Sequence, residues 1–253
     1  MELTNVVPWG RSFEEYQAMF GLSEADLSKR ILGCGDGPAS FNVEATNRGC
    51  QVTSCDPVYE FRADEIRRRI DDVYPDIMTK MRQGADSYIW ESLSSVEQLG
   101  EVRMKAMSRF LSDFDVGCRQ KRYVSASLPS LPFSDSEFDL ALCSHYLFLY
   151  SDHVDGAAHL ESMRELCRVA SEVRVFPVVS LNGTTSKHLD SVMTALSAEG
   201  IDVILQPVSY RFQKGATEML VAKSVKPGQA LGQRYVRRGQ VDPSNLPLES
   251  KGR

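Results

Sequence analysis

Residues 31–41, ILGCGDGPASF, place Gly33, Gly35 and Gly37 at alternate positions, directly behind a short apolar run and ahead of a helix-like stretch. Glycines so spaced let a ligand approach the backbone where side chains would exclude it. Asp56, in SCDPVY, follows 19 residues after Gly37. A carboxylate there can accept hydrogen bonds from both hydroxyls of a ribose. An Asp before Pro57 can also form a turn, but behind a glycine loop the ribose role is expected. The third chemically rich stretch is CSHYLFLYSDH, residues 143–153. His145 is the candidate general base, and Tyr146 and Tyr150 could stack on or hydrogen-bond an acceptor, or simply pack under the following helix.

Pro38 narrows the ligand. A dinucleotide fingerprint, G-x-G-x-x-G, needs a small residue at position 38, and no Gly-Lys-Ser/Thr follows as in a phosphate-binding Walker loop. Pro38 suits the first position of a helix. The expected ligand therefore sets an anionic end at that helix N-terminus while its body crosses the loop. Among secondary candidates, Asp152 and His153 read as a turn and N-cap, and Ser180 and Asn182 in VVSLNG as a turn at the sheet's active edge. Trp9, Arg11, Phe13 and Tyr16 could close over the site, with Tyr16 preferred, or pack on the sheet flank. Tyr88 and Trp90 are acceptor-stacking candidates, and the arginines at 67–69 read as a solvated helix face.

These residues need a scaffold. Residues 29–33, 50–56, 123–127, 138–144, 172–179, 202–208 and 218–224 read as seven strands, with helices at 38–49, about 155–169 and 186–199 between them. Strand, helix, strand at the start predicts a right-handed parallel unit. Only SYRFQKGAT separates the last two strands, which predicts an antiparallel hairpin there. Residues of about 61–120, between strands two and three, read as an inserted helical subdomain over the mouth of the sheet. Ser12 with Glu15 forms a capping box before the first helix.

The chain has 253 residues, 42% hydrophobic and 25% charged, with a formal net charge of -5. This fits one α/β domain over residues 1–224. Residues 225–253 carry six cations against Asp242 and Glu249, and read as a flexible basic tail. The acidic remainder argues against a nucleic-acid binder. No stretch is long and apolar enough to span a membrane, and the N-terminal residues lack the pattern of a signal peptide, so a cytoplasmic location is expected. The six cysteines stand singly, and no metal-ligand spacing links the four histidines to them. Cys34 reads as a small apolar filler under a tight turn rather than a nucleophile. Oligomeric state is not legible.

The combination of ILGCGDGPASF, the acidic strand end in VTSCDPVY, and LPSLPFSDSEFDLALCSHYLFLY resembles the class I S-adenosylmethionine-dependent methyltransferases, specifically an uncharacterised bacterial group of them. The resemblance covers about residues 9–224. It implies a Rossmann-like, seven-stranded, mostly parallel sheet with a C-terminal antiparallel hairpin. S-adenosylmethionine is the implied cofactor. Gly33, Cys34, Gly35 and Gly37 would line its amino-acid end, Asp56 would hold the ribose, and Pro57, Ser127 and Leu128 would flank the adenine. Cys143 and Ser144 would floor the pocket, Tyr16 would close it, and His145 and Tyr146 would act on the acceptor. Two positions depart from the family's pattern: Ile31 and Ser127 stand where acidic residues are usual. The implied activity is methyl transfer to a small-molecule acceptor. The alternatives are an RNA or protein acceptor, or cofactor binding without catalysis.

Overall fold

The computed structural model describes residues 8–91 and 93–224. Among these, seven strands form one sheet: β1 (Arg30–Cys34), β2 (Gln51–Cys55), β3 (Tyr123–Val124), β4 (Phe138–Ser144), β5 (Ala170–Phe176), β6 (Ile201–Pro207) and β7 (Glu218–Ser224). The order is β3-β2-β1-β4-β5-β7-β6. β3, β2, β1, β4 and β5 run parallel, and β7 lies antiparallel between β5 and β6. This is the Rossmann-like sheet implied by the resemblance. The order reverses between β1 and β4, so their carboxyl ends leave a crevice where the chain departs in opposite directions.

The central strands are mostly apolar because helices cover both faces. Side chains alternate along the pleat: Ile31, Leu140 and Leu142 enter the layer with α1 (Phe13–Phe20) and α3 (Phe41–Asn47). Leu32, Ala141 and Cys143 enter the layer with α6 (Gly156–Val169) and α7 (Leu189–Ala198). Two long helices, α4 (Ala63–Gln83) and α5 (Val96–Arg119), connect β2 to β3. Ile66 and Ile70 of α4 meet Phe110 and Phe114 of α5 in a third cluster, which also holds Tyr59 and Tyr123.

The N-terminal segment is tied to this frame at several points. Ser12 and Glu15 form the expected capping box of α1. A four-residue helix, α2 (Glu24–Leu27), follows. From β5, the buried Arg174 donates to the Phe20 carbonyl at 2.8 Å and to Asp26 at 3.0 Å. The stretch before α1 lies so close to the loop after β1 that a Cβ on Gly10 would fall 2.0 Å from the Pro38 carbonyl oxygen.

Several expectations are corrected. α3 begins at Phe41, not at 38, and Pro38 sits in the preceding turn. The Ser40 N–H donates to the Arg11 carbonyl at 3.0 Å, so the N-terminal segment covers the start of α3 and the helix end is not offered to an anion. β3 is two residues long because the chain turns beyond it, with Ser127 bridging to Ser130. β5 occupies 170–176 rather than 172–179, and Pro177, lacking an N–H, cannot extend the ladder. The N-cap of α6 is Asp155, not Asp152 or His153. The expected basic tail, 225–253, lies outside the described residues. Among the described residues no helix is long and apolar enough to cross a membrane.

Gly10→Ala should cost about 1–3 kcal/mol by overpacking against the Pro38 backbone. Urea unfolding of the variant checks this, and an unchanged midpoint would show that the N-terminal segment does not press on the loop.

Candidate functional site

The turn after β1 is fastened to the turn after β2. Gly35 N–H donates to the Cys55 carbonyl at 2.9 Å. One oxygen of Asp56 accepts from Gly37 N–H and the other from Val58 N–H, both at 2.9 Å. The Tyr59 hydroxyl donates to the Gly37 carbonyl at 2.7 Å. Gly35 and Gly37 have φ of 70° and 52°, left-handed values that favour glycine, and a Cβ on Gly35 would lie 3.0 Å from Tyr146 Cβ. Burial raises the Asp56 pKa, partly offset by the two N–H donors.

Asp36 occupies the underside of the loop. It accepts from the Tyr16 hydroxyl at 2.7 Å and the Ser54 hydroxyl at 2.6 Å. Its carboxylate fills the space beside Gly33, where a Cβ would come within 1.9 Å of an oxygen. Burial pushes its pKa up to about 7, against the pull of the two hydroxyls and with a further push from Asp56. The reading of the loop from sequence passed over Asp36, although an acid between two glycines of a tight turn is itself a signal. Ile31, where the family's acidic residue is usual, is fully buried in the core.

Two cavities open beside this loop. The larger, about 890 Å³, is lined by Cys34, Pro57, Ser127, Leu128 and Tyr146, and at its far end by Phe61, Arg68 and Arg69. The smaller, about 120 Å³, is lined by Trp9, Arg11, Tyr16, Asp36, Tyr88, Ser144, Tyr150 and Phe212. Gly35, Gly37, Pro38, Asp56 and His145 belong to both.

His145 holds φ 51°, unusual for a residue with a Cβ. Its N–H donates to the Phe176 carbonyl at 2.7 Å and its Nδ1 lies 3.1 Å from Ser144 Oγ. Burial, with Arg11 and Arg103 nearby, drives its pKa well below the usual value, so the ring is neutral at pH 7. Tyr146 is half-buried and Tyr150 buried.

Of the residues expected at the site, Gly33 and Cys143 line neither cavity. Gly33 is covered by Asp36, and Cys143 is fully buried on the opposite face, its thiol pushed up to about 12 by burial. The Cys34 thiol is held well above its usual range by its hydrogen bond with the Cys55 thiol and by burial, which suits a filler and not a nucleophile. Tyr88 stacks on Phe212 with centroids 4.8 Å apart. Trp90 instead donates to the Ala85 carbonyl at 2.9 Å, behind the wall. Ser180 and Asn182 close a turn through Thr184 and reach neither cavity. The arginine run on α4 is exposed, yet Arg68 and Arg69 border the larger cavity. Among the described residues no cluster of metal-ligating side chains exists.

Behind the smaller cavity lies a charged group that sequence reasoning missed. Arg103 of α5 is fully buried and pairs with Glu15 through one nitrogen, leaving Nε and Nη2 without partners. Glu15 also accepts from Tyr210 at 2.8 Å. Burial raises the Glu15 pKa, but Arg103 and Arg11 bring it down to about 2. Arg11 Nε is likewise buried and unpartnered. The signal in the sequence was an arginine on the apolar stripe of α5, between Leu99 and Met107.

The raised pKa of Asp36 has a thermodynamic consequence. A carboxyl so shifted stabilises the fold while protonated, a contribution complete below the ordinary pKa of 3.8 and lost as pH rises to about 7. Asp36→Asn should therefore gain on the parent protein by about 1 kcal/mol per unit between about pH 4 and pH 7 and level off above. Urea unfolding across this range checks it, and a flat difference would refute it.

No protein-family model matches the chain. It is 30% identical over 225 residues to Uncharacterized protein MJ0045 of Methanocaldococcus jannaschii, covering 88% of this chain and 98% of that protein. That relative is archaeal, whereas the resemblance pointed to a bacterial group. Among solved structures, the chain is similar to the methyltransferase domain of bacterial-CtHen1-CN (16% identity, 83% of this chain and 99% of that one, TM-score 0.45). It is also similar to a SAM dependent methyltransferase from Aquifex aeolicus (13% identity, 84% and 89%, TM-score 0.41). The chain belongs to the family of Uncharacterized protein MJ0045, on a seven-stranded Rossmann-like sheet.

Proposed function

We propose that the protein is an S-adenosylmethionine-dependent methyltransferase acting on a small-molecule acceptor. The observation that carries this reading is the pair of cavities joined at the glycine loop and His145, one large enough for a nucleoside cofactor and one for a compact second reactant. The residues fit the cofactor. Gly35 and Gly37 offer bare backbone, Asp56 keeps a free lone pair on each oxygen for ribose hydroxyls, and Leu128 and Tyr146 give apolar walls for a base.

When bound, the cofactor supplies an electrophilic methyl on a sulfonium. Gly35, Gly37 and Asp56 would hold the cofactor, and the chemistry it would supply is a displacement at that carbon by the acceptor's electron pair, with the carbon–sulfur pair leaving on sulfur. The chain's part is positioning, exclusion of water and removal of the acceptor's proton where it carries one. Neutral His145 lines both cavities, and this supports assigning it the removal of that proton. The small volume of the second cavity favours a compact acceptor over a polynucleotide. Single free cysteines fit a reducing, cytoplasmic setting.

Calorimetry with S-adenosylhomocysteine tests cofactor binding, and Asp56→Asn should weaken it by about tenfold or more through lost charge-assisted bonds to ribose. Absence of any heat with folded parent protein would end the reading. His145→Gln should bind S-adenosylhomocysteine within about threefold of the parent yet lower turnover about 100-fold, the scale of general-base loss. Equal turnover would remove His145 from the chemistry.

A further inference from the structure

The smaller cavity joins an apolar wall to a positive charge with too little to answer it. Trp9, Tyr88 and Phe212 form the wall, and Arg11 faces the same space. Arg11 donates one nitrogen to the Trp9 carbonyl at 3.2 Å and leaves Nε buried and unpaired. Behind it, Arg103 shares Glu15, the one carboxylate among the groups that act most strongly on Arg11. Asp36 and Asp56, at the loop end of the cavity, are not among those groups. Two guanidiniums thus face one carboxylate, and burial, with Arg103 beside it, holds the Arg11 pKa below its ordinary value.

The cofactor does not supply this anion on balance. Its amino and carboxylate groups cancel, and its sulfonium adds a positive charge. A second reactant carrying a negative charge would balance the guanidinium pair and give the buried Arg11 Nε an acceptor.

We propose that the smaller cavity selects an acceptor bearing a carboxylate on a compact aromatic body, the carboxylate held by Arg11 and the ring by Tyr88 and Phe212. A planar guanidinium with a free Nε edge suits a carboxylate, which it can meet through two parallel hydrogen bonds. The cavity of about 120 Å³ is of the size that takes one aromatic ring. The proposal rests on the methyltransferase reading for the ligand's role as acceptor, but not for the pocket's chemistry.

The test titrates the full chain with benzoate and with benzamide, its neutral near-isostere, in the presence and absence of S-adenosylhomocysteine, followed by ligand-observed NMR. The expected result is that benzoate binds at least about tenfold more tightly than benzamide, the scale of a charge-assisted pair. Arg11→Gln should abolish the preference while S-adenosylhomocysteine affinity, which also reports folding, stays within about threefold of the parent. Equal binding of the two probes, or no binding of benzoate, overturns the proposal. So does a loss of S-adenosylhomocysteine affinity in folded Arg11→Gln, which would give Arg11 to the cofactor's own carboxylate. A benzoate preference in a parent protein that ignores S-adenosylhomocysteine upholds the pocket and overturns the methyltransferase reading instead.

Discussion

A buried carboxylate organises the crevice. Asp36 takes hydroxyl hydrogens from Tyr16 of α1 and Ser54 of β2 while sitting in the turn after β1, so three segments far apart in sequence converge on one side chain. Gly33 is a glycine because that carboxylate needs its space. With the underside of the turn filled in this way, the backbone of Gly35 and Gly37 is left facing the cavities. Asp56 then holds the upper side of the same turn through Gly37 N–H. The loop is thus clamped between two acids, one below and one beside it, and burial raises the pKa of both.

The opposite end of the small cavity is charged in the other sense. Arg103 sits on an otherwise apolar helix stripe because Glu15 meets it there, and Glu15 is available because the capping box of α1 points its carboxylate inward. One residue therefore ends a helix, accepts from Tyr210 and partly neutralises a buried cation. The site has a polarity, acids at the loop and guanidiniums at the N-terminal segment, with neutral His145 between them.

The fold was legible in the sequence because its signals are local: period-two apolar runs such as FDLALCS, and the eight-residue helix announced by Ser12 and Glu15. Asp56 and Leu128 line the larger cavity, as strand ends do in open α/β sheets, whereas Tyr146, expected to act on the acceptor, lines that cavity and not the smaller one. What could not be read depends on contacts between distant segments. Nothing near Pro38 reveals that the Arg11 carbonyl takes the N–H of Ser40, the N-cap of α3, and nothing near Arg103 names Glu15, 88 residues away, as its partner. Gly33 and Cys143 fit a family pattern, yet the pleat turns one under Asp36 and the other to the far face.

The Tyr59 hydroxyl grips the Gly37 carbonyl, while its ring is wedged among Phe110, Phe114 and Tyr123. The helical layer of α4 and α5 therefore has a mechanical linkage to the glycine turn. Sequence drift along those helices can tilt the lever and retune the crevice while the glycines themselves stay unchanged. Diversification of ligand preference within such a family could proceed from a hydrophobic cluster that reaches the larger cavity only through Ile66 and Val58.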